Sequence, residues 1–168
     1  AQPDAFVLAI SYLQAPNRRD GVQFRPQGPG QNVILVDDVL SCRYLPRTAP
    51  AITQPMAWGY ELTLLDSRSS QLPRKGLPTL VQLFIRGNPF RSGQNLVQLA
   101  RKYLDITAED LQAVILYGSP YVLEQLSLPE GIPWVFSYGQ MPMAQTSALK
   151  NLVGEMAAMG AVDRSFTD

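Results

Sequence analysis

Two adjacent carboxylates, Asp37 and Asp38, are the side chains of this sequence with the clearest potential for chemistry. They follow directly after the apolar run Val33-Ile-Leu-Val36, which is typical of a strand buried on both faces. Carboxylate oxygens are the ligands that Mg²⁺ prefers, so a pair of them at the end of a parallel strand could hold this ion. The sequence therefore raises the possibility of a magnesium site after the first buried strand.

The stretch from Val33 to Asp38 resembles the opening of response-regulator receiver domains. A receiver also needs a phospho-accepting aspartate at a later strand end and a lysine after the last strand. Asp66 is the available aspartate, 28 residues past Asp38, but the last predicted strand ends in Tyr138-Gly-Gln140 without a lysine. A receiver built from this sequence would therefore be degenerate, and we keep a receiver-like regulatory module as an alternative interpretation of the chain's function. We predict no metal site.

The sequence contains no histidine and one cysteine, Cys42. This excludes Ser-His-Asp and Cys-His triads and any histidine-ligated metal within the chain. A single cysteine forms no intrachain disulfide, and we interpret Cys42 as a buried thiol. No glycine-rich loop lies between a strand and a helix in the spacing that cradles phosphates, so no cofactor is predicted.

Three further strand ends combine glycine with polar side chains: Arg86-Gly-Asn88, Tyr117-Gly-Ser119 and Tyr138-Gly-Gln140. Parallel strands place their carboxyl ends at one edge of the sheet, where ligands bind, and glycine permits close approach there. The alternative is ordinary turn chemistry between a strand and a helix. The predicted substrate-binding or domain-interface residues are Asp37, Asp38, Arg86, Asn88, Tyr117, Ser119, Tyr138 and Gln140; we predict no catalytic residue.

Hydrophobic periodicity supplies the elements that would position these residues. Strands are predicted over residues 21–25, 32–37, 60–65, 80–85, 113–117 and 134–138. Helices are predicted over residues 4–13, 51–58, 92–104, 119–126 and 142–159. Alternation of strands and helices predicts an α/β fold, a three-layer sandwich whose six-stranded, mostly parallel sheet carries helices on both faces. The first strand is the one that could be antiparallel.

The length of 168 residues fits a single domain over residues 1–168, with a frayed tail over 161–168. Charged residues make up only 17% of the chain and cancel to a net charge of zero. We therefore expect neither a nucleic-acid partner nor a membrane partner recruited by charge, and no apolar run is long enough for a membrane span. Low charge also suggests that another domain covers part of the surface. The interface aromatics we predict are Tyr44, Trp58, Phe90 and Tyr121.

Three segments in order resemble the C-terminal domain of glycoside hydrolase family 3 enzymes. They are Gln82-Leu-Phe-Ile-Arg-Gly-Asn-Pro-Phe90, Val114-Ile-Leu-Tyr-Gly-Ser-Pro-Tyr121 and Pro133-Trp-Val-Phe-Ser-Tyr-Gly-Gln-Met-Pro-Met-Ala144, followed by Leu152-Val-Gly154. The segment from Val33 to Tyr60 is similar to cyanobacterial versions. The resemblance covers residues 30–155.

The resemblance implies an N-terminal catalytic barrel in the same polypeptide, outside this chain, that carries an aspartate nucleophile. It implies retaining hydrolysis of a terminal β-linked glucose or N-acetylglucosamine, with carbohydrate as the substrate. The acid/base is a glutamate of the present domain in the β-glucosidase branch and a His-Asp pair of the barrel in the N-acetylglucosaminidase branch. No acid here matches that glutamate, which places the sequence nearer to the second branch.

We therefore expect an accessory domain that is inactive alone. The alternative class is a non-catalytic binding or regulatory module that works without a barrel. We expect a cytoplasmic location, with the periplasm as the alternative.

Overall fold

The computed structural model describes residues 24–37, 42–86 and 93–154. These ranges contain five strands and four helices. The strands are β1 Gly30–Val36, β2 Tyr60–Leu65, β3 Thr79–Ile85, β4 Leu111–Gly118 and β5 Trp134–Ser137. The helices are α1 Pro50–Ala57, α2 Gly93–Ile106, α3 Pro120–Leu126 and α4 Pro142–Leu152.

The five strands form one sheet in the order β2-β1-β3-β4-β5, and every pair is parallel. The chain leaves β1 towards β2 on one side and returns to β3 on the other side. The connections therefore change direction between β1 and β3. In sheets of this order, the crevice outside the carboxyl ends of the two strands at that switch point is where ligands bind.

Helices cover both faces of the sheet, as the alternating strand pattern predicts. On one face, Ile34, Phe84 and Ile115 belong to a core cluster that is closed by residues of α1 and α4. Cys42, a free and partly buried thiol, packs against this cluster. The other face, which includes Leu35 and Leu83, packs on α2 and α3. The predicted three-layer α/β sandwich is confirmed.

Proline and glycine set the ends of the helices. Helices α1, α3 and α4 each have proline in the first turn, where the missing N–H would have no intrahelical partner. Helix α4 ends at Leu152 and not at residue 159 as predicted. The reason is Gly154, whose φ of +87° ends the helical path.

Five predicted elements fall partly or wholly outside the described residues, among them the helix over 92–104, whose first residue is not described. The helix over 4–13 and the tail over 161–168 lie there, as do residues 155–159 of the helix predicted over 142–159. Of the strand predicted over 21–25, only Phe24 and Arg25 are described, and neither belongs to the sheet. The sheet thus has five described strands where six were predicted. None of the four described helices combines the length and apolar character that a bilayer span requires.

Candidate functional site

The switch point of the sheet lies between Asp37, which directly follows β1, and Arg86, which directly follows β3. Val36 pairs with Phe84 across the two strands, so Asp37 and Arg86 extend from neighbouring strand ends. Both side chains are exposed. The structure therefore places a carboxylate and a guanidinium at the position where this sheet order favours a ligand. Asp38 and Asn88, predicted beside them, lie outside the described residues.

Arg86 contacts Tyr44, which belongs to the loop between β1 and α1. The guanidinium carbon lies 5.7 Å from the centroid of the Tyr44 ring, within the range of a cation–π interaction. Arg86 Nη2 also donates a hydrogen bond to the Tyr44 hydroxyl at 3.3 Å. The pair presents several N–H donors, held against an aromatic ring, at the switch point, which suits binding of a polar ligand.

Tyr117 is fully buried and points into the core, so its side chain does not reach the edge of the sheet. Its hydroxyl donates to Gln82 Oε1 at 2.7 Å. Gln82 Nε2 in turn donates to Asn32 Oδ1 and to the carbonyl oxygen of Ala51, at 2.8 Å in both cases. Burial raises the pKa of Tyr117 well above its ordinary value. Tyr117 therefore links two central strands to the start of α1 as a neutral donor.

Gln145 of α4 extends this buried network to the carboxyl edge. Its Oε1 accepts from the backbone N–H of Ala51 at 3.0 Å. Its Nε2 donates to the carbonyl oxygens of Tyr44 and Gln140, at 2.6 and 2.9 Å. Gln140 is also buried, and its side chain donates to the carbonyl oxygen of Tyr117 at 3.0 Å. The network thereby fixes the backbone at Tyr44, the residue that contacts Arg86.

Sequence reasoning missed Asn32, Gln82 and Gln145 as members of this network. The signal was present, because Asn32 and Gln82 stand inside strands that are buried on both faces. A buried amide in such a strand needs hydrogen-bond partners. Gln145 carried no comparable signal, since a glutamine in a helix is ordinarily solvated.

Ser119 and Tyr138 take different positions at the same edge. Ser119 Oγ accepts from the backbone N–H of Tyr121 at 3.3 Å and so caps the start of α3. Tyr138 is half exposed, and its ring packs edge-on against Phe136 with centroids 4.8 Å apart. The Tyr138 ring is therefore available to a partner, whereas the Ser119 side chain is engaged in capping α3.

Among the described residues, four large apolar side chains next to the carboxyl ends of β4 and β5 are exposed by between 42% and 75%. We name them the edge patch: Tyr121, Tyr138, Met141 and Met143. Of the four aromatics predicted at an interface, Tyr121 is exposed, Tyr44 and Trp58 are partly buried, and Phe90 lies outside the described residues. Exposed apolar side chains of this size at one edge of a domain are a feature that protein partners cover.

The described residues assemble no acidic cluster. Asp66 follows the edge strand β2, and its Oδ1 accepts hydrogen bonds from Arg68 N at 2.9 Å and Ser69 Oγ at 3.2 Å. Within the described ranges, no group of three or more histidine, cysteine, aspartate or glutamate residues could hold a metal ion. The receiver alternative would use Asp66 as its phospho-accepting aspartate. Among the described residues, no metal-binding cluster forms around Asp66.

The profile of one protein family matches residues 23–154, a range that includes all five strands and all four helices described above. Its description is the bacterial glycosyl hydrolase family 3 C-terminal domain. No curated protein matches the chain. The family supports an accessory domain of a glycoside hydrolase, while the cyanobacterial type stays a prediction. The match covers most of the chain, and the chain therefore belongs to the family of bacterial glycosyl hydrolase family 3 C-terminal domains.

Proposed function

We propose that this chain is the accessory domain of a retaining β-glycosidase and presents its carboxyl edge to a catalytic barrel of the same polypeptide. The observation that carries the proposal is the shared location of two features. The Arg86–Tyr44 pair lies at the switch point, and the edge patch lies at the same edge of the sheet. One feature suits a polar ligand and the other suits a protein surface.

The described residues argue for catalysis by the barrel and not by this domain. Retention requires two carboxyl groups about 5–5.5 Å apart on either side of the bond that is cleaved. Among the described strand ends, Asp37 and Asp66 are the acids, and Asp66 is engaged in the turn that follows β2. The chain alone is therefore expected to hydrolyse no aryl β-glycoside.

The edge patch is the surface that we assign to the barrel. Exposed methionine and tyrosine are enriched where protein surfaces meet, whereas charged residues are depleted at the centre of such contacts. Covering Met141, Met143 and the two tyrosines would remove apolar surface from water, which stabilises the docked state. Docking at this edge would bring the Arg86–Tyr44 pair towards the barrel.

The Arg86–Tyr44 pair is suited to the hydroxyl groups of a sugar. The guanidinium supplies several N–H donors in a fixed plane, and the contact with the Tyr44 ring restricts its orientation. We expect the substrate to be a terminal β-linked glucose or N-acetylglucosamine. In this arrangement Arg86 binds the substrate and takes no part in proton transfer.

The test compares the full-length protein with this chain on aryl β-glucosides and aryl β-N-acetylglucosaminides. We expect turnover by the full-length protein and none by the chain. Arg86→Ala should lower kcat/KM of the full-length protein about tenfold, which corresponds to about 1.4 kcal/mol of transition-state binding. The matched control is Arg74→Ala, because Arg74 is also exposed but pairs with Glu61 at 3.0 Å, away from the carboxyl edge.

Turnover by the chain alone would contradict the proposal. An equal loss of kcat/KM in Arg74→Ala would also contradict it, because the effect would then not depend on the position of Arg86 at the switch point.

A further inference from the structure

A shallow groove runs between α1 and α4 on one helical face of the sandwich. Its cavity volume is about 40 Å³, too small to enclose a ligand on all sides. A ligand of this groove must therefore lie along the surface. The lining residues are Pro50, Gln54, Trp58, Thr146, Leu149, Lys150 and Val153.

Trp58 forms one aromatic wall of the groove, and its orientation is fixed. Its ring packs edge-on against Phe24 and Tyr60, with centroids 5.7 and 6.3 Å away. Phe24 and Tyr60 are both buried, whereas Trp58 is only partly buried. A ring held in this way loses little conformational freedom when a ligand stacks on it.

Polar side chains surround this aromatic surface. Gln54 and Lys150 are exposed and Thr146 is partly exposed. None of the three forms a hydrogen bond or an ion pair with another described residue. The groove thus combines a fixed flat ring with an amide, a hydroxyl and an ammonium group whose hydrogen-bonding capacity is not used by the described part of the fold.

A pyranose ring in a β-linked chain has the complementary chemistry. Its faces carry C–H groups that pack on an aromatic surface, and its rim carries equatorial hydroxyls that donate and accept hydrogen bonds. Lys150 is the one charged residue among the described residues that line the groove, and a single cation there is too few for a polyanion such as a nucleic acid. A neutral glycan therefore fits better than a nucleic acid does.

We propose that the α1–α4 groove binds a β-linked oligosaccharide, with a sugar ring stacked on Trp58 and its hydroxyls bonded to Gln54, Thr146 and Lys150. The choice of a sugar rests on the proposed function, since membership in a glycosyl hydrolase family is what favours this ligand class. Helix α1 leads from the carboxyl end of β1 back to the amino end of β2. Trp58, between α1 and β2, thus lies at the opposite end of the sheet from Arg86.

The test uses the two tryptophans of the chain, Trp58 and Trp134. Trp134→Phe leaves Trp58 as the single indole, and its emission is followed while cellohexaose or chitohexaose is added. We expect a saturable change with a Kd of about 0.1–1 mM, which corresponds to roughly 4–5.5 kcal/mol. In the same background, Lys150→Ala should weaken binding about threefold to tenfold.

The matched control is Lys102→Ala, which removes an exposed lysine from α2 on the opposite face of the sheet. It should leave the Kd unchanged. Trp58→Ala, followed by calorimetry, should abolish saturable binding. Because this change also removes ring contacts in the core, Lys150→Ala provides the test if Trp58→Ala fails to fold.

No saturable response to either hexasaccharide would overturn the groove proposal, as would equal weakening by Lys102→Ala and Lys150→Ala. Binding is measured on the chain, and hydrolysis is measured on the unmodified full-length protein. If the full-length protein hydrolyses the aryl glycosides but the chain binds neither hexasaccharide, only the groove proposal is overturned. If the chain binds a hexasaccharide but the full-length protein hydrolyses no aryl glycoside, only the proposed function is overturned.

Discussion

The hydroxyl of Tyr117 on β4 donates a hydrogen bond to Oε1 of Gln82 on β3 over 2.7 Å, and both side chains are fully buried. The same Gln82 side chain donates to Asn32 on β1. Side-chain hydrogen bonds therefore join the three central strands across their backbone ladder. Satisfied buried amides of this kind define the register of a sheet, because a one-residue slip would turn each amide to the other face.

Tyr117→Phe should destabilise the domain by about 2 kcal/mol. The change keeps the ring, which stacks on Phe84 with centroids 4.2 Å apart, but it leaves Gln82 Oε1 buried without its donor. The free energy of unfolding is measured by urea denaturation, with an unchanged m-value as evidence of an intact fold.

Tyr138→Phe is the control, because the Tyr138 hydroxyl is on a half-exposed side chain and forms no hydrogen bond with another described residue. A loss below about 0.5 kcal/mol is expected there. Equal losses in the two variants would mean that the Tyr117 hydroxyl contributes nothing specific.

Stability should fall as the pH rises above about 10, the ordinary tyrosine pKa. Burial raises the pKa of Tyr117 in the folded state, so folded Tyr117 keeps its proton while the unfolded chain loses it. The unfolded state then binds fewer protons, which lowers the free energy of unfolding with increasing pH. Burial also raises the pKa of Tyr60 and of Tyr103, so a residual slope remains without Tyr117.

The measurement is a set of urea transitions between pH 8 and 11 for the unchanged chain and for Tyr117→Phe. The decline should be shallower in the variant. Parallel curves for the two proteins would exclude Tyr117 as a source of the slope.

Gly118→Ala should destabilise the domain by more than about 3 kcal/mol or prevent folding. Gly118 ends β4 with a φ of +147°, and an added Cβ would lie 1.8 Å from the carbonyl oxygen of Ile85. The contact is with backbone of the neighbouring strand, so no side chain can move aside. Gly76→Ala is the matched control, since Gly76 has a φ of +84° but an added Cβ there would meet no atom within 4 Å.

Gly76→Ala should cost only about 1–2 kcal/mol, the penalty for a left-handed backbone alone. Thermal unfolding of both variants separates the steric effect at Gly118 from the backbone effect. A similar thermal unfolding midpoint for Gly118→Ala and Gly76→Ala would show that the carboxyl ends of β3 and β4 can move apart.

Met143→Ser should lower the urea midpoint of the full-length protein, because it removes apolar contact at the edge patch where we place the barrel. Leu72→Ser is the control: Leu72 and Met143 are each 55% exposed, but Leu72 belongs to the loop between β2 and β3. In the chain alone, both changes should alter stability by less than about 0.5 kcal/mol. An unchanged midpoint of full-length Met143→Ser would place the barrel elsewhere.

The chain is expected to take up no Mg²⁺ in a calorimetric titration. Asp37 follows β1, but Asp66 accepts hydrogen bonds from its own turn and does not extend the acidic pair. Saturable uptake that is lost in Asp37→Asn would favour the receiver-like alternative.

The apolar runs of the sequence predicted the sheet well, because the central strands β1 and β3 are buried on both faces and leave a continuous apolar pattern. The strand predicted over 60–65 has the observed bounds Tyr60–Leu65, and the α/β sandwich is confirmed. The predicted end of α4, at residue 159, was wrong. Apolar residues continue past Leu152, and the prediction followed them past Gly154, although the positive φ of this glycine ends the helix. Sequence periodicity reports burial, and it does not report where backbone geometry ends a helix.

The candidate site was predicted less completely. The sequence predicted polar residues after the strands as the site, and the structure places two of them, Asp37 and Arg86, at neighbouring strand ends. Which side chains face outward could not be read from the turns, because Tyr117 and Gln140 use their polar groups inside the fold. The contact of Arg86 with Tyr44 joins residues 42 positions apart, and a local pattern cannot reveal it.

The all-parallel sheet has a consequence for how the chain acquires its structure. Central strand β1 pairs with β3, and Gln31 meets Thr79 across 48 positions of sequence. The described strands form no hairpin that could nucleate this sheet locally. The chain therefore loses the conformational entropy of closing long loops before the strands gain many contacts with each other. Folding should therefore be slow for a domain of this size. During synthesis, β1 has no central neighbour until β3 has left the ribosome.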